Sequence, residues 1–425
     1  MGRKVAVIGS GAREHALVRA LRGGASGGEA REIVAIPGNP GMTAEARCVP
    51  SGGGADALAR AAVAERPDLV VVGPEAPLAE GLADRLASAG IPCFGPSAAA
   101  ARIESSKAFA KEVMEKAGVR TPRAAVFDDP AAAKRHATGP CVVKLDGLAG
   151  GKGVVVCDDG AEATRAIDEL WAAGSSGGPV RLLVEERLEG RELSVIALCD
   201  GERAVPLPPA RDHKRLLDGD KGPNTGGMGA ICSPPDVPAR LVDEVVRTVL
   251  EPTLLEMARR GTPFVGALYA GLMLTREGPS VLEFNCRLGD PEAQAILIRL
   301  RSDPLPLFLA AAQRGLSAVA PVWDRRTAVA VVIAAAGYPA TPRAGDEIRG
   351  LHLLARDEGD ALWVLHAGTR LQEGRIVTSG GRVLTIAALG EGAREARHLA
   401  YSAAAWIELP GAQMRHDIAA SAEKA

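Results

Sequence analysis

The sequence has no large excess of charge of either sign and no long hydrophobic run. Its 50 lysine and arginine residues nearly balance 52 aspartate and glutamate residues, and the formal net charge is -2. Nucleic-acid binding usually depends on a marked basic excess, so we expect no nucleic-acid partner. The longest apolar run, Ala328 to Ala336, is far shorter than the roughly 20 residues of a membrane helix, so no membrane span is expected.

Paired-cysteine motifs are also missing. The seven cysteines are widely spaced, odd in number and never form C-x-x-C, which argues against a disulfide framework and a structural zinc site. Reduced, mostly buried thiols are expected instead. The segment M-G-R-K-V-A-V-I-G enters a strand pattern without the apolar core of a secretory signal, so the predicted location is cytoplasmic.

Length and periodicity predict several domains of mixed structure. A chain of 425 residues corresponds to about three domains. In the first hundred residues, helical patterns alternate with the short runs K-V-A-V-I-G, E-I-V-A-I-P-G and D-L-V-V-V-G-P. This alternation predicts an α/β domain with a doubly wound parallel sheet, and ligands bind at the carboxyl ends of such strands.

The rest of the chain predicts α+β units. One helix is predicted over E-S-S-K-A-F-A-K-E-V-M, and the strands C-V-V-K-L-D and G-V-V-V-C are joined by glycine-rich G-L-A-G-G-K into a mobile hairpin. A larger mixed region follows, in which K-G-P-N-T-G-G-M-G is predicted to be a loop that approaches a ligand closely. Beyond Trp323, short strands and a helix from Ala393 to Trp406 predict a last small α+β domain.

The segment V-L-E-F-N-C-R-L-G-D-P-E, Val281 to Glu292, predicts a metal site on a strand. Side chains alternate along a strand, so Glu283, Asn285 and Arg287 share one face, opposite an apolar face that packs. A carboxylate, an amide oxygen and a guanidinium suit magnesium bridging phosphates beside a phosphate clamp. An isolated E-x-N-x-R is also typical of a solvated sheet edge, so other segments must decide.

Lys144 lies in an apolar strand, where its ammonium needs an anion. A nucleotide phosphate and a structural glutamate both remain open as that anion. The following flap, Gly147 to Gly153, supplies backbone donors at Gly150 and Gly151 and a second cation, Lys152. It is not a P-loop, because glycine stands at 153 where that motif requires serine or threonine.

Acidic residues follow in L-L-V-E-E-R-L-E-G-R-E. Glu192 is placed to accept hydrogen bonds from ribose hydroxyls, and the backbone from Glu186 to Leu188 can meet an adenine edge. Ordinary surface carboxylates are the alternative.

At the N-terminus, G-S-G-A-R-E lacks the third glycine of a dinucleotide fingerprint and has Glu14 there, so nicotinamide binding is not expected. Backbone N–H groups from Gly11 to Arg13, opening a helix, can cradle a phosphate monoester.

Taken in order, these features resemble the ATP-grasp enzymes, and more narrowly the phosphoribosylamine–glycine ligases. The resemblance covers nearly the whole chain. Its motifs are V-I-G-S-G-A-R-E-H-A-L, P-G-N-P-G, V-V-G-P-E-A-P-L, S-K-A-F-A-K, K-L-D-G-L-A-G-G-K-G-V, D-H-K-R, G-P-N-T-G-G-M-G-A, Y-A-G-L-M-L and E-F-N-C-R-L-G-D-P-E.

The resemblance implies an ATP-dependent ligase of purine biosynthesis that acts as a monomer. Glycine and 5-phosphoribosylamine would be joined through glycyl phosphate to give glycinamide ribonucleotide, ADP and phosphate, with magnesium as the metal and manganese as an alternative. The implied domains are an N-terminal domain, an ATP-grasp core in two segments, a small mobile flap domain and a C-terminal domain. Their predicted ranges are 1–101, 102–122 with 188–322, 123–187, and 323–425.

The resemblance also implies roles for individual residues. The predicted metal ligands are Glu283 and Asn285, and the catalytic residues are Lys144, Arg287 and Asp212. The predicted nucleotide-binding residues are Lys107, Lys144, Gly150, Gly151, Glu185, Glu186, Leu188, Glu192 and Lys214. The predicted substrate-binding residues are Gly11, Arg13, Glu14, Asp212, Asn224, Thr225, Gly226, Gly227 and Asp290, with the phosphate monoester at Gly11–Arg13 being the 5-phosphate of phosphoribosylamine.

Four positions depart from the family pattern: Leu145 and Gly150 where alanine is usual, Arg211 where glutamine is usual, and Ala419 where glycine is usual. Arg211 bears on the assignment of the neighbouring Asp212. Three other functions are weighed against the ligase. They are a different ATP-grasp carboxylate ligase of the biotin-carboxylase or aminoimidazole-carboxylating kind, a nucleotide sensor without turnover, and a dehydrogenase.

Overall fold

The computed structural model describes residues 3–23, 31–150, 153–174, 180–354 and 359–424. Within these ranges, no helix combines the length and the apolar character that crossing a bilayer requires. All seven cysteines are free thiols, five of them buried and two partly buried.

The N-terminal part is a five-stranded parallel sheet in the order β3-β2-β1-β4-β5. Its strands are β1 (Lys4–Gly9), β2 (Glu32–Pro37), β3 (Arg47–Cys48), β4 (Leu69–Val72) and β5 (Cys93–Phe94). The helices here are α1 (Ala12–Gly23), α2 (Ala55–Glu65), α3 (Glu75–Ala79), α4 (Leu82–Ser88) and α5 (Ala98–Ser105), with a 3₁₀ turn at Pro40–Ala44.

Alternate residues of these strands enter two different apolar layers. On β1, Val5 and Val7 pack in the layer that includes α1, whereas Ala6 and Ile8 pack in the layer that includes α2 and α4. Both faces of the sheet are therefore covered by helices, which confirms the doubly wound arrangement predicted from the continuous apolar runs.

The single helix predicted over E-S-S-K-A-F-A-K-E-V-M is wrong. Ser106 has an extended backbone (φ -139°, ψ 109°) that separates α5 from α6 (Lys107–Ala117). Its hydroxyl accepts a hydrogen bond from the Phe109 N–H at 3.2 Å, as an N-cap serine does. The break places Lys107 in the first turn of a new helix.

A four-stranded antiparallel sheet follows, in the order β6-β9-β7-β8. It is built from β6 (Ala124–Phe127), α7 (Pro130–His136), β7 (Cys141–Leu145), β8 (Val154–Cys157), α8 (Gly160–Gly174) and β9 (Leu182–Glu186). Side chains of both helices and of β7 and β9 form a separate small apolar cluster. The predicted hairpin of β7 and β8 is therefore part of a unit with its own core.

The predicted core segment 188–322 and the C-terminal region share one sheet of nine strands. Eight strands form the path β17-β16-β10-β12-β15-β18-β22-β19, and β11 pairs with β10. The strands are β10 (Arg191–Asp200), β11 (Ala204–Pro206), β12 (Ala210–Asp212), β15 (Gly229–Cys232), β16 (Val265–Thr275), β17 (Gly278–Asn285), β18 (Thr327–Ala334), β19 (Leu362–His366) and β22 (Arg382–Gly390). The predicted boundary at 322/323 thus lies between strands of a continuous sheet, because β15 pairs with β18 along four residue pairs from Gly229↔Val331 to Cys232↔Ala328.

Helices cover this large sheet, and two hairpins extend from it. The helices are α9 (Ala239–Val245), a π-helical turn at Val246–Leu250, α10 (Glu251–Arg259), α11 (Glu292–Leu297), α12 (Pro304–Ala312), α13 (Leu351–Leu354) and α14 (Ala393–Ala404), with 3₁₀ turns at Leu316–Ala318 and Ala420–Lys424. The hairpins are β13 (Arg215–Leu217) with β14 (Lys221–Asn224), and β20 (Thr369–Gln372) with β21 (Arg375–Thr378). Four of the nine residues predicted to be a loop, Lys221–Asn224, are therefore a strand.

Asn39 ties the N-terminal sheet to the C-terminal region. Its buried amide nitrogen donates to the Ser10 carbonyl at 2.9 Å and to the His366 carbonyl at 2.8 Å. Its amide oxygen accepts from the N–H groups of Gly41 and Met42 at 2.9 and 3.2 Å. One side chain thus satisfies four backbone groups where strand β1, the 3₁₀ turn and strand β19 meet.

Asn39→Ala removes all four hydrogen bonds and leaves buried backbone groups unpaired. We expect a loss of about 1–3 kcal/mol in the free energy of unfolding, the cost of stranding buried polar groups. Thermal unfolding measures the effect, with Gln372→Ala on exposed β20 as the control. Equal unfolding midpoints for the two variants would contradict the proposed tie.

Candidate active site

Three lysines converge on Glu283. Burial acts to raise the pKa of the Glu283 carboxyl, but Lys214, Lys144 and Lys107 together lower it. These residues come from β17, β7, α6 and the segment after β12, so the fold joins separate parts of the chain in one cleft. An ionised carboxylate among several ammonium groups offers a metal ligand beside N–H donors for the oxygens of a polyanionic ligand.

Lys144 pairs with a structural glutamate, one of the two anions that its sequence context left open. Its buried ammonium lies 2.9 Å from Glu185 Oε2 and donates to the Leu282 carbonyl at 2.8 Å. An ammonium has three donors, so one more remains for a phosphate oxygen. Glu185 therefore aims the lysine without using up its capacity to bind a ligand.

Lys111 is a site residue that sequence reasoning missed. Its ammonium lies 3.3 Å from Glu185 Oε1, so two lysines share one buried carboxylate. Burial lowers the pKa of Lys111 to about 8, although Glu185 acts in the opposite direction. The available signal was spacing, because Lys107 and Lys111 lie four residues apart on one face of α6.

Lys107 and Asp146 tether the beginning of the flap. The Lys107 ammonium donates to the Gly147 carbonyl at 2.9 Å. The Asp146 carboxylate accepts from the Ala108 N–H and from the Ser106 hydroxyl, both at 3.3 Å. Gly150, with φ +54°, is described, whereas Gly151 and Lys152 lie outside the described residues.

The metal strand follows the predicted alternation only beyond Leu282, because the register with β16 shifts there, leaving Leu282 half-buried and Val281 buried. Phe284 and Cys286 are buried, and Glu283 and Asn285 are half-buried on the other face. Strand β17 ends at Asn285, so Arg287 follows the strand instead of lying in it. In the orientation that satisfies both amide atoms, Asn285 Nδ2 donates to Glu104 Oε1 at 3.1 Å and to the Phe284 carbonyl at 3.3 Å.

Glu104, at the end of α5, is a second residue that sequence reasoning missed. Besides Asn285, it accepts from the Cys286 N–H at 2.7 Å and pairs with Arg287 Nη2 at 3.1 Å. Burial raises the pKa of its carboxyl, and Arg287 opposes that rise. A glutamate ending a helix carries no sequence signal for a long-range contact with residues 285–287.

Arg287 is held by two carboxylates. Its Nε lies 3.1 Å from Glu75 Oε2 and its Nη2 lies 3.1 Å from Glu104 Oε1, while Nη1 donates to the Leu288 carbonyl at 3.3 Å. The guanidinium has five N–H groups, so two remain for a ligand. Its charge, however, is already offset by both glutamates.

The donor set fits magnesium bound together with a nucleotide. Among the described residues, no group of three or more His, Cys, Asp or Glu side chains can hold a metal ion. Glu283 supplies an ionised carboxylate, and the hydrogen bond from Asn285 Nδ2 to Glu104 leaves the amide oxygen available. Magnesium typically takes one or two protein oxygens and completes its shell with phosphates and water, so this pair suffices.

Beside this pair, Lys214 lies within ion-pair distance of two carboxylates. Its ammonium lies 2.9 Å from Glu192 Oε2 and 3.7 Å from Glu283 Oε1. Although burial disfavours its charge, Glu192 and Asp212 raise the pKa of Lys214 well above its usual value. Burial also raises the pKa of the Asp212 carboxyl well above its usual range, Lys214 opposes the rise, and Glu292 adds to it.

Arg211 points away from Asp212, as neighbours on a strand do. Its two terminal nitrogens pair with the Asp236 carboxylate at 3.0 and 2.8 Å, and its Nε donates to the Glu192 carbonyl at 3.0 Å. The arginine at this position, where the family usually has glutamine, therefore forms hydrogen bonds that support strand β10 behind the site.

The segment predicted to meet adenine is partly occupied by the chain itself. The Glu186 N–H donates to the Arg123 carbonyl at 2.9 Å, and the Glu185 side chain holds Lys144 and Lys111. Backbone groups that could contact an adenine edge would therefore lie further along the chain, towards the half-buried Leu188.

The first N–H group of the predicted phosphate cradle at the N-terminus, that of Gly11, donates to Glu14. The Gly11 N–H donates to Glu14 Oε2 at 2.6 Å, and Arg13 Nε donates to Glu14 Oε1 at 2.7 Å. A phosphate at Gly11 would have to displace this buried carboxylate, which corrects the predicted role. Gly11 nevertheless lies at the site, because a Cβ placed on it would come within 3.9 Å of Asp290 Oδ2.

Residues 224–227 form a tight loop against the D-H-K-R segment. The Thr225 N–H and hydroxyl both donate to the Lys214 carbonyl, at 2.8 and 2.7 Å. The Gly227 N–H donates to the Thr225 hydroxyl at 3.0 Å, and Gly227 packs directly on Pro291. Asn224 Nδ2 donates to the Val154 carbonyl of β8 at 3.4 Å, so this loop touches the flap hairpin.

Comparison with known proteins identifies the family of each part of the chain. The family models for the N domain, the ATP-grasp (A) domain and the C domain of phosphoribosylglycinamide synthetase match residues 3–104, 105–293 and 328–421. The biotin carboxylase domain of a 2-oxoglutarate carboxylase from Hydrogenobacter thermophilus, solved with magnesium ADP and bicarbonate, has a TM-score of 0.73 at 18% identity, covering 97% of this chain and 92% of the other. That likeness concerns the fold. The chain is an ATP-grasp ligase.

Closer relatives define the family within that class. The phosphoribosylamine–glycine ligase of Streptomyces coelicolor is 51% identical over 425 residues, covering 99% of each chain. The crystal structure of phosphoribosylamine–glycine ligase from Thermotoga maritima has a TM-score of 0.81 at 33% identity, covering 98% of this chain and all of the other. The chain belongs to the phosphoribosylamine–glycine ligase family.

Glu104→Gln keeps the shape of the side chain and removes its charge. We expect the magnesium concentration for half-maximal ATP-dependent turnover to rise about 10- to 100-fold, because the support of Asn285 and Arg287 weakens. A magnesium titration measures this, with Glu112→Gln on exposed α6 as the control. An unchanged magnesium requirement would remove Glu104 from the site.

Proposed function

We propose that this chain uses ATP to join glycine to 5-phosphoribosylamine, giving glycinamide ribonucleotide, ADP and phosphate. The observation that carries the proposal is the convergence of Lys107, Lys144 and Lys214 on Glu283, beside the loop of residues 224–227. Membership of the family supports the identity of the two smaller substrates.

The lysine cleft is the proposed site of the triphosphate. Lys107 and Lys144 bind its oxygens, and the flap beginning at Gly147 covers it, since Lys107 already holds the Gly147 carbonyl. Glu283 and Asn285 would hold magnesium, which would neutralise charge on the phosphates, and manganese prefers the same kind of oxygen ligand. Adenine lies towards Leu188, and the ribose hydroxyls lie near Glu192.

The first chemical step transfers a phosphoryl group. A carboxylate oxygen of glycine forms a bond to the γ-phosphorus, the bond from that phosphorus to the bridging oxygen breaks, and ADP leaves with the electron pair. Such transfers need little covalent help from protein side chains. Lys144, Lys107 and Arg287 contribute by position and charge, and the flap excludes water from the glycyl phosphate.

The second step forms the amide. The amine of 5-phosphoribosylamine attacks the carbonyl carbon of glycyl phosphate, a C–N bond forms, the C–O bond to phosphate breaks, and phosphate leaves. The attacking nitrogen then loses a proton. Asp212 is the proposed acceptor, because its raised pKa brings the carboxyl closer to the range in which proton transfer is efficient.

The wall formed by residues 224–227, Asp290 and the N-terminal loop receives glycine and the phosphoribosyl group. The carboxylate of Glu14 already accepts a hydrogen bond from the Gly11 N–H. The proposed partners of Glu14 are therefore ribose hydroxyls or an amine instead of the 5-phosphate. Asn224 contributes through its position between this wall and the flap. We further propose that the enzyme acts as a monomer in the cytoplasm.

The reaction itself is tested by phosphate release. Release should require ATP, glycine and 5-phosphoribosylamine together, and omission of either smaller substrate should reduce it to background. Release with bicarbonate in place of glycine would instead indicate another ATP-grasp carboxylate ligase. Nucleotide binding without turnover would indicate a sensor.

Glu283→Gln preserves the size of the side chain and removes the anionic metal ligand. We expect kcat to fall by about 100-fold or more, equivalent to losing about 3 kcal/mol of transition-state stabilisation, with thermal stability retained. Glu277→Gln, in the exposed turn of the same hairpin, is the matched control. Near-normal turnover by Glu283→Gln at ordinary magnesium concentration would exclude this ligand.

Arg287→Lys retains the positive charge but loses the planar fork that bridges Glu75 and Glu104. We expect kcat to fall about tenfold, because a lysine makes fewer of these charged hydrogen bonds. Steady-state kinetics separate kcat from the KM for ATP, with exposed Arg276→Lys as the control. A change confined to the KM for ATP would place Arg287 away from the γ-phosphate.

A further inference from the structure

We infer that Arg382 and Tyr338, both from the C-terminal region, position the substrate loop of residues 224–227. This inference rests on the proposed function, because it concerns binding of glycine and 5-phosphoribosylamine. Neither side chain is proposed to touch the reacting atoms. Both act through the backbone of Gly226.

Arg382 braces two walls of the site against each other. Its Nη1 donates to the Gly226 carbonyl at 2.6 Å and to the Asp290 carbonyl at 2.8 Å. Its Nη2 lies 2.9 Å from Asp290 Oδ2. One guanidinium thus connects the substrate loop to the D-P-E segment from which α11 begins, with a planar geometry that a lysine cannot reproduce.

Tyr338 holds the other side of the same peptide segment. Its hydroxyl accepts a hydrogen bond from the Gly226 N–H at 2.9 Å. The Tyr338 carbonyl accepts from Gln413 Nε2 at 2.9 Å, and its ring packs directly on Gly381, next to Arg382. The N–H and the carbonyl of Gly226 are therefore both fixed by the C-terminal region.

The position of Gly226 matters because its neighbours support the proposed substrate contacts. Thr225 holds the Lys214 carbonyl, and Gly227 packs on Pro291. A shift of Gly226 would therefore move the backbone of the D-H-K-R segment and of the D-P-E segment together. In the proposed function the triphosphate oxygens are bound by Lys107 and Lys144, which belong to neither of these segments.

The sheet makes this support rigid. Tyr338 and Arg382 lie just beyond β18 and at the start of β22, and these strands continue the sheet that contains β15. β15 begins at Gly229, directly after the substrate loop. The loop is thus held at one end by a sheet strand and at its middle by side chains anchored on that same sheet.

The test compares Arg382→Lys and Tyr338→Phe with Arg370→Ala, an exposed arginine of the same region. Kinetics with each substrate varied in turn should show the KM for glycine or 5-phosphoribosylamine raised about tenfold for Arg382→Lys and several-fold for Tyr338→Phe. The KM for ATP should stay within about twofold of wild type, and the control should match wild type, since substitutions at exposed sites have small effects. Calorimetry with a non-hydrolysable ATP analogue checks that nucleotide binding is preserved.

Loss of a hydroxyl in Tyr338→Phe should leave the protein folded, so the comparison holds even if an arginine variant is unstable. A uniform loss across all three substrates, or KM values equal to wild type, would overturn the inference. If the wild-type protein turns over and the variants have the same KM values as wild type, this inference alone is overturned. Absence of wild-type turnover would overturn the proposed function and this inference with it.

Discussion

The charge balance around Glu283 is the constraint on which the rest of the site depends. A single carboxylate lies among the ammonium groups of Lys107, Lys144 and Lys214, and these lysines keep it ionised despite burial. Other glutamates limit the repulsion among the cations, since Glu185 pairs with Lys144 and Glu192 pairs with Lys214. The pairs aim each ammonium without exhausting its three donors. The cleft is therefore stable as built and still has capacity for a polyanion.

Local sequence patterns predicted those parts of the structure that depend on local periodicity. The doubly wound sheet followed from apolar runs, and the alternation of Glu283 and Asn285 followed from the geometry of a strand. The break at Ser106 was missed because the helical pattern continues across it and only the N-cap hydroxyl interrupts it. The β13–β14 hairpin was missed because its second strand, K-G-P-N, contains residues that disfavour strands.

Long-range contacts were beyond reach from one sequence. Glu104 pairs with Arg287, which lies 183 positions further along the chain, and no local pattern encodes that contact. The hydrogen bond from the Gly11 N–H to Glu14 was not predicted, because a helix-start pattern does not reveal which anion occupies its N–H groups. The local structure at two of the four departures from the family pattern is clear. Arg211 is paired with Asp236, and Ala419 adopts φ +60°, a conformation that glycine takes with less strain.

The two halves of the site are supported in different ways, and this difference bears on how the enzyme closes. The half proposed for the triphosphate lies between the core and the β6–β9 unit, which has its own apolar cluster and is joined to α6 by the polar contacts of Lys107 and Asp146. The half proposed for glycine and the amine is braced by the nine-stranded sheet through Arg382 and Tyr338. In the proposed function, closure over the triphosphate would move the β6–β9 unit towards this braced half. Asn224 belongs to the braced half and donates to the Val154 carbonyl of β8, so it links the two halves. The proposed acyl phosphate would thus meet an amine that the sheet-braced half positions.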